Sequence, residues 1–573
     1  MTVPLPSSLL KNSCARLACV WLALAFLCVP AGAQRRSPAR GGAAAARGQG
    51  QRGGADPALL REAAELMRAG RLAEAESVAR GAAEASPRDA DARALLGLIL
   101  EQSGRRAEAE RELREAVRLD PKSAAALTNL GVLLSQSGRE AEAVPLFERA
   151  LASSPAYAQA AYNLAVLYVA RKDFARALPH LERLAAAGGG AEGADLPLLL
   201  TLADAYARAG RGAEAGRIAD AVERRAAADP RVLFTLGLAL AGAGSYERAA
   251  RLFEATNRLR PQTYEVLYNL GVALFNLDRL EEAERALGDA AALKPDEAEV
   301  FFRLGLVASA RGRGDEALAH WRRAASLRAS YPEAYFMIAE ELVKTRRTEA
   351  AVPFYERAVE QDPAQPVYYT RLGVAHFRAR RYREARATFE RALMRFPQDG
   401  ALNYLAGYAA RAEGEFDLAT KYFRRALELQ PDNAPAYASL GFLTGERGQH
   451  EEAERLLRRA LALDPDNFPA TYDLGRLLVR LKRYADAVPL LERGARLGTR
   501  DPGVHYQLFL AYSRLGRKAD ADRELAVFKR LEEARKSADS GGAPMGGQPA
   551  SEELPPPETV APSKPPSSQN RLR

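Results

Sequence analysis

Cysteine is nearly absent from this chain. There are three in 573 residues, Cys14, Cys19 and Cys28, all within the first 33. Everything after them lacks a thiol, which excludes disulfides, thiolate catalysis and zinc–thiolate sites there. Histidine is scarce too. His180, His320, His376, His450 and His505 lie in separate segments, and no two have the spacing of a metal site. No metal or cofactor is therefore expected. Phosphate-binding loops and Gly-x-Ser-x-Gly elbows are missing. The stretch GGGAEG at 188–193 fits a dinucleotide fingerprint by letter, but it follows a helical pattern, not a strand, and carries no weight. The chain has no catalytic signature, and a non-enzyme is expected.

A surplus of one charge is also lacking in the body of the chain. Of the net charge of +9, Lys11 and Arg16 contribute +2, and Arg35, Arg36, Arg40, Arg47 and Arg52 contribute +5. Residues 536–573 balance four against four, so only +2 is left for the remainder. A near-neutral body is not the basic face that phosphate backbones require, and no nucleic-acid partner is expected. No apolar run suits a membrane span either. The run 17–29 has thirteen residues, short of the ~20 of a spanning helix. With its basic start and the small residues Ala31, Gly32 and Ala33, it reads as a secretion signal cleaved before Gln34; the open alternatives are an uncleaved anchor or a lipid-modified cysteine. Export to the periplasm or envelope is expected, with secretion as the alternative and no span left after signal removal.

What the chain has in abundance is a repeat. Alanine recurs at 75, 109, 143, 177, 215, 249, 283, 317, 351, 385, 419, 453, 487 and 521, every step being 34 except one of 38. A second series runs in phase upstream: Gly97, Gly131, Gly237, Gly271, Gly305, Gly373, Gly441 and Gly475, each after leucine. Such a period signals stacked units that bury their apolar faces on one another. In one copy, 268–295, Leu270, Ala273, Leu274 and Leu277 mark an amphipathic helix, and Ala283, Ala286, Leu287 and Ala290 mark a second. Between them other copies carry Gly104, Gly138, Gly244 or Gly448, where a left-handed helix end is expected. Prolines such as Pro87, Pro121, Pro295 and Pro465 close the second helix.

The Leu-Gly, the turn, the alanine, the large residue four beyond it (Phe147, Phe253, Trp321, Tyr355, Phe389, Phe423) and the closing proline together resemble the tetratricopeptide repeat family. The resemblance covers 56–535. It implies an all-α solenoid, a right-handed superhelix of about fourteen helix-turn-helix repeats. The organisation expected is a signal peptide at 1–33, a basic disordered linker at 34–55, repeats 1–4 at 56–195, repeats 5–14 with a capping helix at 196–535, and a Pro/Ser-rich disordered tail at 536–573. The 38-residue step falls in 188–195, where Asp195 is expected as N-cap and Pro197 in the first turn. A plain surface loop and a hinge between the flanking repeats both remain open.

In the resembling family the first helix of each repeat lines a concave groove. Asn129, Asn163 and Asn269, each just before the Leu-Gly or Leu-Ala, are similar to an asparagine ladder that holds peptide backbone, since an amide both donates and accepts. Tyr162 and Tyr268 beside them are candidate anchors, and helix capping or inter-repeat packing is the alternative for all five. Thr201, Thr235, Arg303, Met337, Arg371, Ser439 and Asp473 interrupt the ladder. Arg303, Arg371, Arg378, Arg476 and Arg480 lead a mild basic excess that suits an acidic peptide or an anionic glycan. The function expected is a scaffold that binds protein or peptide during assembly or docking in a bacterial cell envelope. A polysaccharide-export module and the substrate-recognition subunit of a sugar transferase are the alternatives.

Overall fold

The computed structural model describes residues 55–498 and 501–540. The signal, nearly all of the linker and the tail beyond 540 lie outside the described residues. Twenty-nine helices and no strand occur among those described. Twenty-eight of them pair into fourteen helix-turn-helix units, from Pro57–Arg68 with Leu72–Ala85 to Pro502–Arg514 with Lys518–Ser540. The all-helical solenoid architecture and its repeat count agree with the sequence pattern. The last helix reaches Ser540, five residues past the expected end at 535.

Three backbone devices recur, each written in the sequence at a fixed register. The first is the turn. One residue in each of the fourteen turns has positive φ: Gly104 at 79°, Gly138 at 75° and their counterparts, with Lys172, Asp278, Arg346, Arg380 and Lys482 replacing glycine at φ of 59–61°. The second is the close approach of paired helices. A Cβ added to Gly131 would lie 2.7 Å from the Phe147 ring, and one added to Gly97 2.7 Å from the Leu113 side chain. The large side chain sixteen residues on thus occupies the space that glycine leaves. Size is traded across this contact. Where the glycine is Ala165 the opposing residue is Leu181, and where it is Ala203 it is Ala219, all four buried. Ala339 opposite Tyr355 breaks the rule. The third device is the exit. Ser86, Asp120 and Asp464 each precede a proline and adopt φ of −128 to −133°, because proline disfavours a helical predecessor.

The repeat-marking alanines are all buried, as are Phe147, Phe253, Trp321, Tyr355, Phe389 and Phe423. On the surface, arginines clamp successive repeats. Arg139 reaches Glu110 and Glu142, both at 2.6 Å, and Arg211 reaches Glu182 at 3.0 Å and Glu214 at 2.8 Å. Lying at the surface, these pairs are screened by solvent, and each contributes little on its own.

The chain divides into two compact units, the first ending at Ala286 and the second beginning at Leu287. The insertion 188–195 lies inside the first. It forms the short helix Gly190–Gly193, and Arg225 Nη1 donates to the carbonyls of Ala191 at 3.1 Å and Ala194 at 2.7 Å. Arg224 pairs with Glu192. Helix Leu196–Arg208 still stacks on Phe174–Ala187 before it. Asp195 does take the N-cap position with Pro197 in the first turn, but its side chain makes no capping bond.

Candidate docking surface on the first helices

A first helix packs on its own second helix and on the second helix before it, and in each unit some first helices also pack on one another, among them Ala90–Gln102 on Ala124–Gln136 and Ala434–Glu446 on Phe468–Arg480. The first helices therefore form the closely spaced row, the side on which repeat arrays present extended binding surfaces.

In the first unit, Asn129 on Ala124–Gln136 and Asn163 on Ala158–Ala170 are half-buried in equivalent places. The Asn163 Nδ2 is buried without a hydrogen-bond partner among the described residues. A buried donor left unmade costs about 1–3 kcal/mol, so this amide is poised to donate. Tyr162 is half-buried beside it, and Val166, one turn on, is 42% exposed.

Asn269 and Tyr268 are placed differently from the groove assignment. Asn269 is fully buried, and its Nδ2 donates to the Glu265 carbonyl at 2.7 Å. Tyr268 is fully buried and stacks on Tyr264 with centroids 5.8 Å apart. Thr201 and Thr235, in the same register, likewise donate to carbonyls four residues back, at 2.9 and 2.8 Å. At these three places a side-chain donor is taken up by a carbonyl of the residue's own helix.

In the second unit the arginines separate into four groups. Arg303 is a packing residue, 2% exposed and 3.2 Å from Glu299. Tyr331 Oη donates to the same carboxylate at 2.9 Å, and Arg328 lies 3.7 Å from it and over the Tyr331 ring at 4.2 Å. Burial, then the Glu299 charge, pushes the Tyr331 phenol far above its usual range. A guanidinium in so little solvent is held by its counter-charge and is not presented to a ligand, so Arg303 does not belong to the groove. Arg371 lies 3.5 Å from Glu340, which also accepts from Tyr355 Oη. Arg378 is exposed and forms no ion pair among the described residues.

Arg476 and Arg480 come together. Each Nη2 lies 3.1 Å from Glu446 Oε1. Arg476 also lies 3.3 Å from Asp473 and 5.2 Å from the centre of the Phe442 ring. Arg411 covers the same ring at 5.3 Å and the Tyr408 ring at 4.7 Å. Burial pushes the Asp473 carboxyl up to about 6, against the pull of Arg476 and Arg411. Phe442 and Tyr408 were missed from the sequence. Their signal is the column three residues beyond the ladder position, Glu340, Val374, Tyr408, Phe442 and Arg476, which turns aromatic and charged toward the C-terminus.

Among the described residues no group of three His, Cys, Asp or Glu is placed to hold a metal ion, and no helix is long and apolar enough to cross a membrane.

Family models for the tetratricopeptide repeat match residues 60–124, 101–158 and 370–434, residues 134–196 and 446–506, and residues 422–455. A model described as the C-terminal domain of cilia and flagella-associated protein 70 matches 181–401. No curated protein matches the chain. Similar solved structures include the C-terminal part of a TPR repeat-containing protein from Cytophaga hutchinsonii, 16% identical, covering 42% of this chain and 99% of that one, TM-score 0.39. The APC/C hetero-tetramer Cut9–Hcn1 is 14% identical, with 79% and 96% covered and a TM-score of 0.32. Yeast Tom70 is 17% identical, with 79% and 97% covered and a TM-score of 0.29.

Proposed function

Because the chain belongs to the tetratricopeptide repeat proteins, we propose that it is a non-catalytic scaffold that docks a protein or peptide segment on its row of first helices. We place that role in assembly or docking in a bacterial cell envelope, on the strength of the signal-like residues 1–33. The repeat family supports protein interaction in general; the envelope setting is the finer reading. The observation that carries the docking site is the pair Asn129 and Asn163 on consecutive first helices, with the Asn163 donor buried and without a partner. An extended backbone offers carbonyls at a regular spacing to such amides. The test is a pull-down from envelope extract with the chain and with its N129A/N163A form. The proposal expects bound proteins to be lost from the double variant at unchanged melting temperature. Retained binding with a sharp drop in melting would make both amides structural. The exposed Arg378 and Arg514 favour a second reading, in which an anionic glycan is the cargo.

A further inference from the structure

Two of the fourteen first helices differ from the rest in charge. Ala124–Gln136 and Ala158–Ala170 contain no Asp, Glu, Lys or Arg, whereas each of the other twelve contains at least one. The two are consecutive and pack on one another. They are also the helices that carry Asn129 and Asn163, and neither of those side chains is hydrogen-bonded among the described residues. Three residues on, and so on the same face, each helix places a valine: Val132 is half-buried and Val166 is 42% exposed. The charges at the margins are engaged. Asp204 on the next first helix lies 2.8 Å from Arg208, and Arg171, just past Ala158–Ala170, lies 3.0 Å from Glu140. On the helix before, Glu101 is half-buried and accepts a hydrogen bond from Gln136.

We propose that Asn129, Val132, Asn163 and Val166 dock an extended, uncharged peptide segment that lays apolar side chains on the two valines. The inference rests on the reading of the chain as a peptide-docking scaffold and adds the ligand class. The buried Asn163 donor needs a carbonyl. An extended backbone brings carbonyls that are open to it, whereas a helix has already bonded its own within itself. That favours an extended segment over a docked helix. An apolar side chain laid on Val166 takes both surfaces out of water, which is favourable. A charged side chain would lose its water here and find no counter-charge on either helix. That favours a neutral segment. Packed helix axes lie about 8–10 Å apart, and an extended chain crosses that distance in about three residues, so a hexapeptide reaches both amides.

The test is fluorescence anisotropy of the full chain with three labelled hexapeptides of alternating Ser-Val, Glu-Val and Lys-Val, at about 0.15 M salt. Ser-Val should bind, and the two charged peptides should bind about tenfold or more weakly. Asn129→Ala and Asn163→Ala should each weaken Ser-Val binding about two- to tenfold. Val166→Glu should weaken Ser-Val and strengthen Lys-Val, a gain that an unfolded repeat does not produce; Val166 is exposed, so the substitution leaves the packing in place. Arg378→Gln, in the other unit, should leave all three unchanged. Equal binding of the three peptides, or a preference for a charged one, would overturn the inference. So would tighter binding of an uncharged Ala/Gln helical peptide than of Ser-Val, or an unaltered preference in Val166→Glu. If no hexapeptide binds but the pull-down described above still depends on Asn129 and Asn163, this inference fails and the scaffold reading stands. If that dependence is lost too, both fail.

Discussion

Gly131 and Gly138 are seven residues apart and are glycine for different reasons, which a substitution series separates. Gly131 lies in a helix, and an added Cβ would stand 2.7, 2.9 and 3.1 Å from three Phe147 ring atoms. Gly131→Ala should therefore overpack the helix pair and cost about 1–3 kcal/mol. Gly138 has open space around it but a φ of 75°. Its alanine variant should cost about 1 kcal/mol through backbone strain alone. Phe147→Leu, by itself, should cost about 1 kcal/mol in lost burial. Combined with Gly131→Ala it recreates the Ala165–Leu181 pair that the next repeat already uses. The double variant should then be more stable than the sum of its parts by about 1 kcal/mol or more. Combined with Gly138→Ala, Phe147→Leu should be additive. The assay is urea unfolding, with hydrogen exchange read across residues 124–153, since repeat arrays need not unfold in one step. Additivity within about 0.5 kcal/mol for the Gly131 pair would refute the steric account.

Three further outcomes follow from the charges and the loop. Burial holds the His376 imidazole below its usual range, so the folded chain resists a proton that the unfolded chain accepts near pH ~6.5; stability should fall as pH drops through that value, and His376→Leu should reduce that slope, leaving the share of His180, which burial holds down likewise. Asp473 behaves oppositely. Its folded value of about 6 exceeds the unfolded value of about 3.9, so its contribution to stability should rise as pH falls from 6 toward 4. Arg476, Arg411, Glu446, Asp501 and Tyr472 act around it, and Asp473→Asn should remove this contribution from the stability profile. In the insertion, Arg225→Ala removes two carbonyl contacts and should speed amide exchange across 188–194 while leaving 124–153 unchanged.

The repeat, the helix pairing and the turn conformation were legible because each depends on residues close in sequence. The positive φ was readable from Gly104 and Gly138 and, through the period, holds at Lys172 and Lys482 as well. Proline alone does not mark a helix end: Pro145, Pro179, Pro353 and Pro489 sit inside second helices, each at the sixth residue, whereas Pro87 and Pro121 follow one. The candidate site was legible in its column and not in its burial. Asn163 and Asn269 share a register and a Leu neighbour, yet one is half-buried with a donor that has no partner among the described residues, and the other is fully buried with its Nδ2 donating within its own helix. Arg303 and Arg480 are equally basic in sequence, and only the surrounding packing, through Tyr331 and Glu299 for Arg303, tells them apart. Packing between repeats is set by residues about 30 positions away, which a local pattern does not encode.

The central claim is that ligands dock on the row of first helices. Its most direct test is a photocrosslinking amino acid placed at Val166, 42% exposed on a first helix, and separately at Met394, 78% exposed on a second helix. After irradiation in envelope extract, the 166 variant should yield discrete protein adducts that N129A/N163A removes, and the more exposed 394 variant should yield none above background. Adducts of equal yield at both positions, or at 394 alone, would contradict the account.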